Sequence, residues 1–222
     1  MIIAFHNFKG GVGTTTLAAH TCARARACGL SVVGMSVDHK QELPRWLAGT
    51  QIDCVELDLN HGQTDADLLV LDVQSHTAPP PIADVWVVPI CDRLSNENAA
   101  DVSDRLRGHL IWLGNMGREV VVPAALAEHV ELALPMPYSR ALAQAADGQA
   151  ILWNVPEMAE SAGARSLRAS LLDVLRRAYR AVGQIVPPGL ETASSMAPSH
   201  DIATGDVGES ASSLVSSARA AN

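Results

Sequence analysis

Residues 8–16 read FKGGVGTTT, a spacing suited to one kind of chemistry. Glycines at 10, 11 and 13 let successive backbone N–H groups converge on an anion. The threonines at 14–16 open what reads as a helix, whose N-terminal dipole favours negative charge. Loops of this kind cradle phosphates and usually carry a lysine directly before the hydroxyl residue. Here that position is Thr14, a neutral hydroxyl, and Lys9, just before the glycines, is the nearest cation in sequence. A charge-assisted contact is worth about 1.5–3 kcal/mol, so its loss lowers phosphate affinity by about one to two decades. Transition-state charge counts for more, on the order of 10³–10⁵ in rate, so any hydrolysis is expected to be slow. On the loop alone, a plain glycine turn in an ordinary α/β protein is the alternative.

The elements that must hold this loop alternate along the chain. MIIAFHNF is a short apolar run, read as a buried strand, and TTLAAHTCARARACG has helical spacing with Gly29 as its C-cap. LSVVGMSVD is a second strand ending on Asp38, and ELPRWLAG a short helix. DADLLVLDV is a third strand with Asp72 at its C-terminal end, and proline-rich HTAPPP separates it from a fourth, ADVWVVPI. SNENAADVSDRLRG reads as a helix with N-cap chemistry at Ser95, HLIWLGN as a strand, and REVVVP and VELALP as weaker strand candidates. SRALAQAADG and SAGARSLRASLLDVLRRAYRAVG are helices, the second long and amphipathic. This order predicts an α/β fold, a doubly wound, mostly parallel sheet flanked by helices. In such sheets ligands sit beyond the carboxyl ends of the strands, where residues 9–16, Asp38 and Asp72 fall. Residues 1–185 form the expected domain. Residues 186–222 turn to Pro, Ser, Ala and Gly and are expected to be a low-complexity, disordered tail.

The loop resembles the deviant Walker A motif, K-G-G-x-G-K-[ST]-[ST], of the ParA/MinD family of P-loop ATPases. Lys9 matches that family's signature lysine, Gly10, Gly11 and Gly13 its glycines, and Thr15 its magnesium-binding hydroxyl; Val12, Thr14 and Thr16 complete the nucleotide loop. Asp38 resembles the switch I aspartate that positions the attacking water. Asp72, in LLVLDVQS, resembles the Walker B aspartate of the family's IIIDTPPS, and Asn115 the asparagine that touches adenine. Each has an alternative: Asp38 and Asp72 as helix-capping carboxylates at strand ends, Asn115 as a turn residue before Gly117. The resemblance spans residues 1–182. It implies ATP and Mg²⁺ as cofactors, with Thr15, Asp38 and Asp72 at the metal, and a homodimer formed on ATP in which Lys9 reaches the partner's phosphates. Branches of the family share the Thr14 departure: cellulose-secretion members resemble RGGVGTT and pilus-localisation members GGVGATT. The implied function is a slowly hydrolysing switch that positions DNA or another large cargo, stimulated by a ParB-like or other partner protein. A non-hydrolysing nucleotide-dependent scaffold of a secretion or pilus complex is the alternative, and a CobB-like amidoligase a more distant one.

Composition limits the partners. Four cysteines without a C-x-x-C pair suit a reduced, cytoplasmic protein. A formal net charge of −8 argues against a chain coated in nucleic acid. The resemblance to partition ATPases nevertheless makes Arg165, Arg168, Arg176, Arg177 and Arg180 candidate contacts to non-specific DNA, a solvated helix face being the alternative. The tail offers only Leu214 and Val215 as bulky apolar residues in GESASSLVSSARAAN, so membrane attachment by an amphipathic helix is not expected. His6 beside the loop is expected to be a strand residue rather than a catalyst, and Asp67 a solvated turn residue. The absence of a helix-turn-helix segment before the loop resembles the short partition ATPases.

Overall fold

The computed structural model describes residues 1–37, 42–56, 65–117 and 119–192. Within them, β1 (Ile2–Phe5), β2 (Val32–Ser36), β3 (Asp53–Glu56), β4 (Leu68–Asp72), β5 (Val85–Ile90), β6 (His109–Gly114) and β7 (Val130–Leu132) form one sheet. Its order is β3-β2-β4-β1-β5-β6-β7, and every pairing is parallel. Central strands are buried on both faces and therefore read as unbroken apolar runs. In β5 the alternation decides which core each residue enters: Val85 and Val87 pack on one side, Trp86 and Val88 on the other.

On the first side lie α1 (Thr14–Ala27), α2 (Glu42–Leu47), α4 (Arg140–Asp147), α5 (Ala162–Ala181) and α6 (Pro188–Thr192); on the second lies α3 (Arg93–Ser103). α1 ends in a Schellman motif. Gly29, at φ 87°, occupies its left-handed position, and the N–H groups of Gly29 and Leu30 donate to Arg26 O and Ala25 O at 2.9 and 3.2 Å.

Three local expectations need correcting. The N-cap of α3 is Asp92, not Ser95; Ser95 sits three residues inside and closes a reciprocal capping box. The Ser95 N–H donates to Asp92 Oδ1 (2.8 Å) and the Asp92 N–H to Ser95 Oγ (2.9 Å). The REVVVP stretch forms no strand among its described residues, whereas VELALP supplies β7. The edge strand β3 was not foreseen, because DCVE carries neither an apolar run nor a clean alternation. Beyond residue 185 the chain is ordered as far as Thr192: Val186 and Leu190 are buried, and Arg176 donates from Nε and Nη2 to Leu190 O at 2.8 and 2.6 Å. Residues 193–222, which hold the rest of the expected tail, lie outside the described residues.

Candidate functional site

Beyond Phe5 the chain enters the glycine loop through His6 and Asn7, both fully buried. Asn7 fixes the entry: Nδ2 donates to Pro89 O (2.9 Å) and Ser95 O (3.1 Å), and Oδ1 accepts from the Lys9 N–H (2.9 Å). The loop is thereby tied to the β5–α3 junction. Gly11 (φ 76°) and Gly13 (φ 92°) are left-handed, a conformation that favours residues without Cβ. A Cβ on Gly13 would also lie 2.9 Å from Asn115 Nδ2. That amide is close because Asn115, just past β6, donates to Val12 O (2.8 Å) while its Oδ1 accepts from the Met116 N–H (2.8 Å). α1 starts behind Gly13 with no side-chain cap, so the first-turn amides, which lack helical acceptors, are available to a ligand.

A cavity of about 480 Å³ lies at this helix start, lined by Gly10, Gly11, Gly13 and Thr14–Thr16. Glu42 and Trp46 of α2, Gln74, Ser75 and His76 after β4, and Met116, Ala146 and Gln149 complete its wall. An apolar pocket of about 90 Å³ adjoins it, sharing Gly13, Thr16, Met116 and Ala146 and adding Met136, Pro137, Tyr138 and Leu142. The two non-glycine residues with positive φ among those described, Met116 (59°) and Gln149 (50°), both line the cavity. Such conformations cost on the order of 1–3 kcal/mol each and concentrate at functional sites.

The electrostatics of this wall are unusual for a phosphate site. Among its described lining side chains there is no Lys or Arg; Glu42 is acidic, and His76 is an exposed imidazole. Lys9 does not line it. Its Nζ lies 3.1 Å from Asp92 Oδ2, so the signature-position lysine is paired with the cap of α3. The Ser95 N–H and then Lys9 hold the Asp92 carboxyl down to about 2.

Thr15 faces the cavity, and Asp72 is fully buried at the carboxyl end of β4, in register with Phe5 and Ser36. Asp72 itself is not among the residues that line the cavity; a hydroxyl and a carboxylate are the hard oxygen donors that Mg²⁺ takes, in ones and twos together with substrate oxygens. Among the described residues no group of three or more His, Cys, Asp and Glu could hold a metal by itself. Asp38 lies outside the described residues. His6 belongs to the core: its Nδ1 is 3.1 Å from Val73 O, its ring packs edge-on to Phe8 and Trp86, and burial lowers its pKa. Asp67 is exposed and accepts from the Ser31 N–H and hydroxyl.

The five arginines of α5 do not form one free stripe. Arg168 donates to Ala159 O and Glu160, Arg176 holds α6, and Arg177 pairs with Asp173 (2.8 Å) and Glu131 (3.3 Å). Arg165, which donates to Glu160 O, and Arg180 are exposed. The sequence reading missed Asn7, Asp92, Trp46, His76 and Gln149. Asn7 carried a faint signal, an amide between an apolar strand and a glycine loop; the others come together only through the fold.

Neither a protein-family model nor a curated protein matches the sequence. Solved structures do match. The septum site-determining protein MinD of Pyrococcus horikoshii, complexed with Mg-ADP, is 14% identical, covers 78% of this chain and 95% of its own, and has a TM-score of 0.58. A putative plasmid partition protein of Borrelia burgdorferi, bound to AMPPNP, is 11% identical over 79% of this chain and 98% of its own, with a TM-score of 0.57. A Cyanothece McdA variant in complex with ATP is 11% identical over 83% and 96%, at 0.55. This likeness establishes that the chain has the same fold as these proteins.

Proposed function

We propose that this chain binds ATP with Mg²⁺ in the cavity at the glycine loop and dimerises around it, as a slowly hydrolysing cytoplasmic switch. It would position or segregate DNA or another large cargo with a ParB-like or other stimulating partner. The observation that carries this reading is the uncapped start of α1, with left-handed Gly11 and Gly13 opening on a 480 Å³ cavity in a MinD/ParA-type fold. Thr15 and Asp72, with Asp38, would hold the metal, which when bound neutralises charge on the terminal phosphates. Val12 and Asn115 shape the loop, and the adjoining apolar pocket suits a base. For a DNA cargo, Arg165 and Arg180 are the exposed candidates on α5.

Titration of a fluorescent ATP analogue tests the assignment. Thr15→Ala and Asp72→Asn should each weaken Mg²⁺-dependent affinity by about tenfold or more, the scale of one charge-assisted contact; unchanged affinity in both would remove it. The non-hydrolysing scaffold is the second reading, favoured by Thr14 and by a described cavity wall without Lys or Arg. Phosphate release in the same samples separates the two: slow but measurable turnover supports the switch, none the scaffold.

A further inference from the structure

The cavity has two unlike ends. At one, Gly13 and Thr16 border the apolar pocket of Met136, Pro137 and Tyr138. At the other, the turn after β4 stands against the beginning of the loop: Ser75 Oγ would be 3.5 Å from a Cβ at Gly10, and the Thr77 N–H closes the turn on Gln74 O (3.0 Å). A nucleotide laid along α1's start therefore has its base at the Tyr138 end and its terminal phosphate at the Gln74–Ser75–His76 end. That phosphate carries the most charge, and the usual lysine opposite it is Thr14. Lys9 is not among the residues that line the cavity, and its Nζ lies 3.1 Å from Asp92 Oδ2. Among the described side chains of the wall, His76 alone can carry positive charge, and Glu42 of α2 opposes it.

We infer that His76 is a binding residue for the terminal phosphate of the nucleotide, standing in from the turn after β4 for the lysine that Thr14 replaces. An imidazole donates a hydrogen bond in either charge state and adds an ionic contact when protonated. The turn is attached directly to the strand that ends in Asp72, so a residue reaching the last phosphate from it distinguishes a triphosphate from a diphosphate. The inference rests on the nucleotide reading given above.

A double-mutant cycle between positions 76 and 14 tests it, with ATP-analogue and ADP affinities measured by fluorescence on the full chain. His76→Gln should weaken triphosphate binding about tenfold and ADP by less than about threefold. His76→Lys should keep or improve the triphosphate preference. In a Thr14→Lys background, where the point charge is restored, His76→Gln should cost less than about threefold. His76 is exposed, so its variants should melt with the wild type. Equal losses for ATP and ADP, no loss at all, or the same tenfold loss with Thr14→Lys would each overturn the role of His76 while leaving the nucleotide site in place. Failure of wild type and Thr14→Lys to bind either nucleotide would overturn the site reading as well.

Discussion

His20 shows how a single side chain underlies the loop. It is fully buried on α1; the Leu152 N–H donates to Nε2 (2.9 Å), which leaves the proton on Nδ1 to donate to Thr16 O (2.7 Å). Trp46 and Trp153 pack edge-on against the ring at 5.5 and 5.2 Å. Burial lowers its pKa from 6.5 to about 4, the Thr16 carbonyl opposing only in part. Because the folded value is depressed, its stabilising contribution is full above pH 6.5 and is lost as pH falls from 6.5 through about 4. At roughly 1.4 kcal/mol per unit, the loss approaches about 3 kcal/mol. Urea midpoints measured from pH 7 to 4.5 should therefore fall. His20→Gln should be less stable at pH 7 and show a flatter profile; a wild-type midpoint flat over this range would refute the assignment. His6 contributes in the same direction.

Helix α6 is five residues long, too short to persist without tertiary contacts. Leu190 is buried, Arg176 grips the backbone carbonyls of Leu190 and Glu191, and Gly189 lies so close to α1 that an added Cβ would be 2.0 Å from Cys28 O. Gly189→Ala should displace the helix and expose Leu190, costing about 2 kcal/mol and lowering Tm by roughly 4–8 °C. Exchange of the 186–192 amides should rise with it; unchanged melting and exchange would mean the contact is dispensable. This helix was not legible from sequence, because PGLET has almost no pattern and its hold comes from Arg176, on the preceding helix, and from Cys28, far earlier in the chain. The same reason hid β3 and the pairing of Lys9. By contrast β1, β4 and β5 were plain, since strands buried on both faces must be apolar throughout, and the glycine loop was plain because its backbone needs Gly11 and Gly13. Asn115 was expected, from the resemblance, to touch the adenine; that its side chain donates to Val12 O, 103 residues away, no local pattern could tell.

For the proposed dimer the pair that matters is Lys9 and Asp92. Within one chain their charges satisfy each other at 3.1 Å, with both side chains partly exposed. Such a pair is worth little, about 0–1 kcal/mol, so in the proposed dimer it would not keep the lysine from a partner's phosphates. Lys9→Ala should then reduce nucleotide-dependent dimerisation, followed by light scattering, more than it reduces monomer binding. Asp92→Asn keeps the helix cap and should lower the nucleotide concentration at which dimers form. Dimerisation unaffected by either change would place the switch elsewhere. The bond between Asn115 and the loop has a consequence of a different kind, in time. β1 has no sheet neighbour until β4 and β5 exist, and Val12 O has no Asn115 until residue 115 is made. During synthesis at about 5–20 residues per second, the glycine loop, once made, waits on the order of ten seconds for the groups that set its shape. A chain stalled before residue 115 would carry the whole glycine motif and still lack the finished cradle.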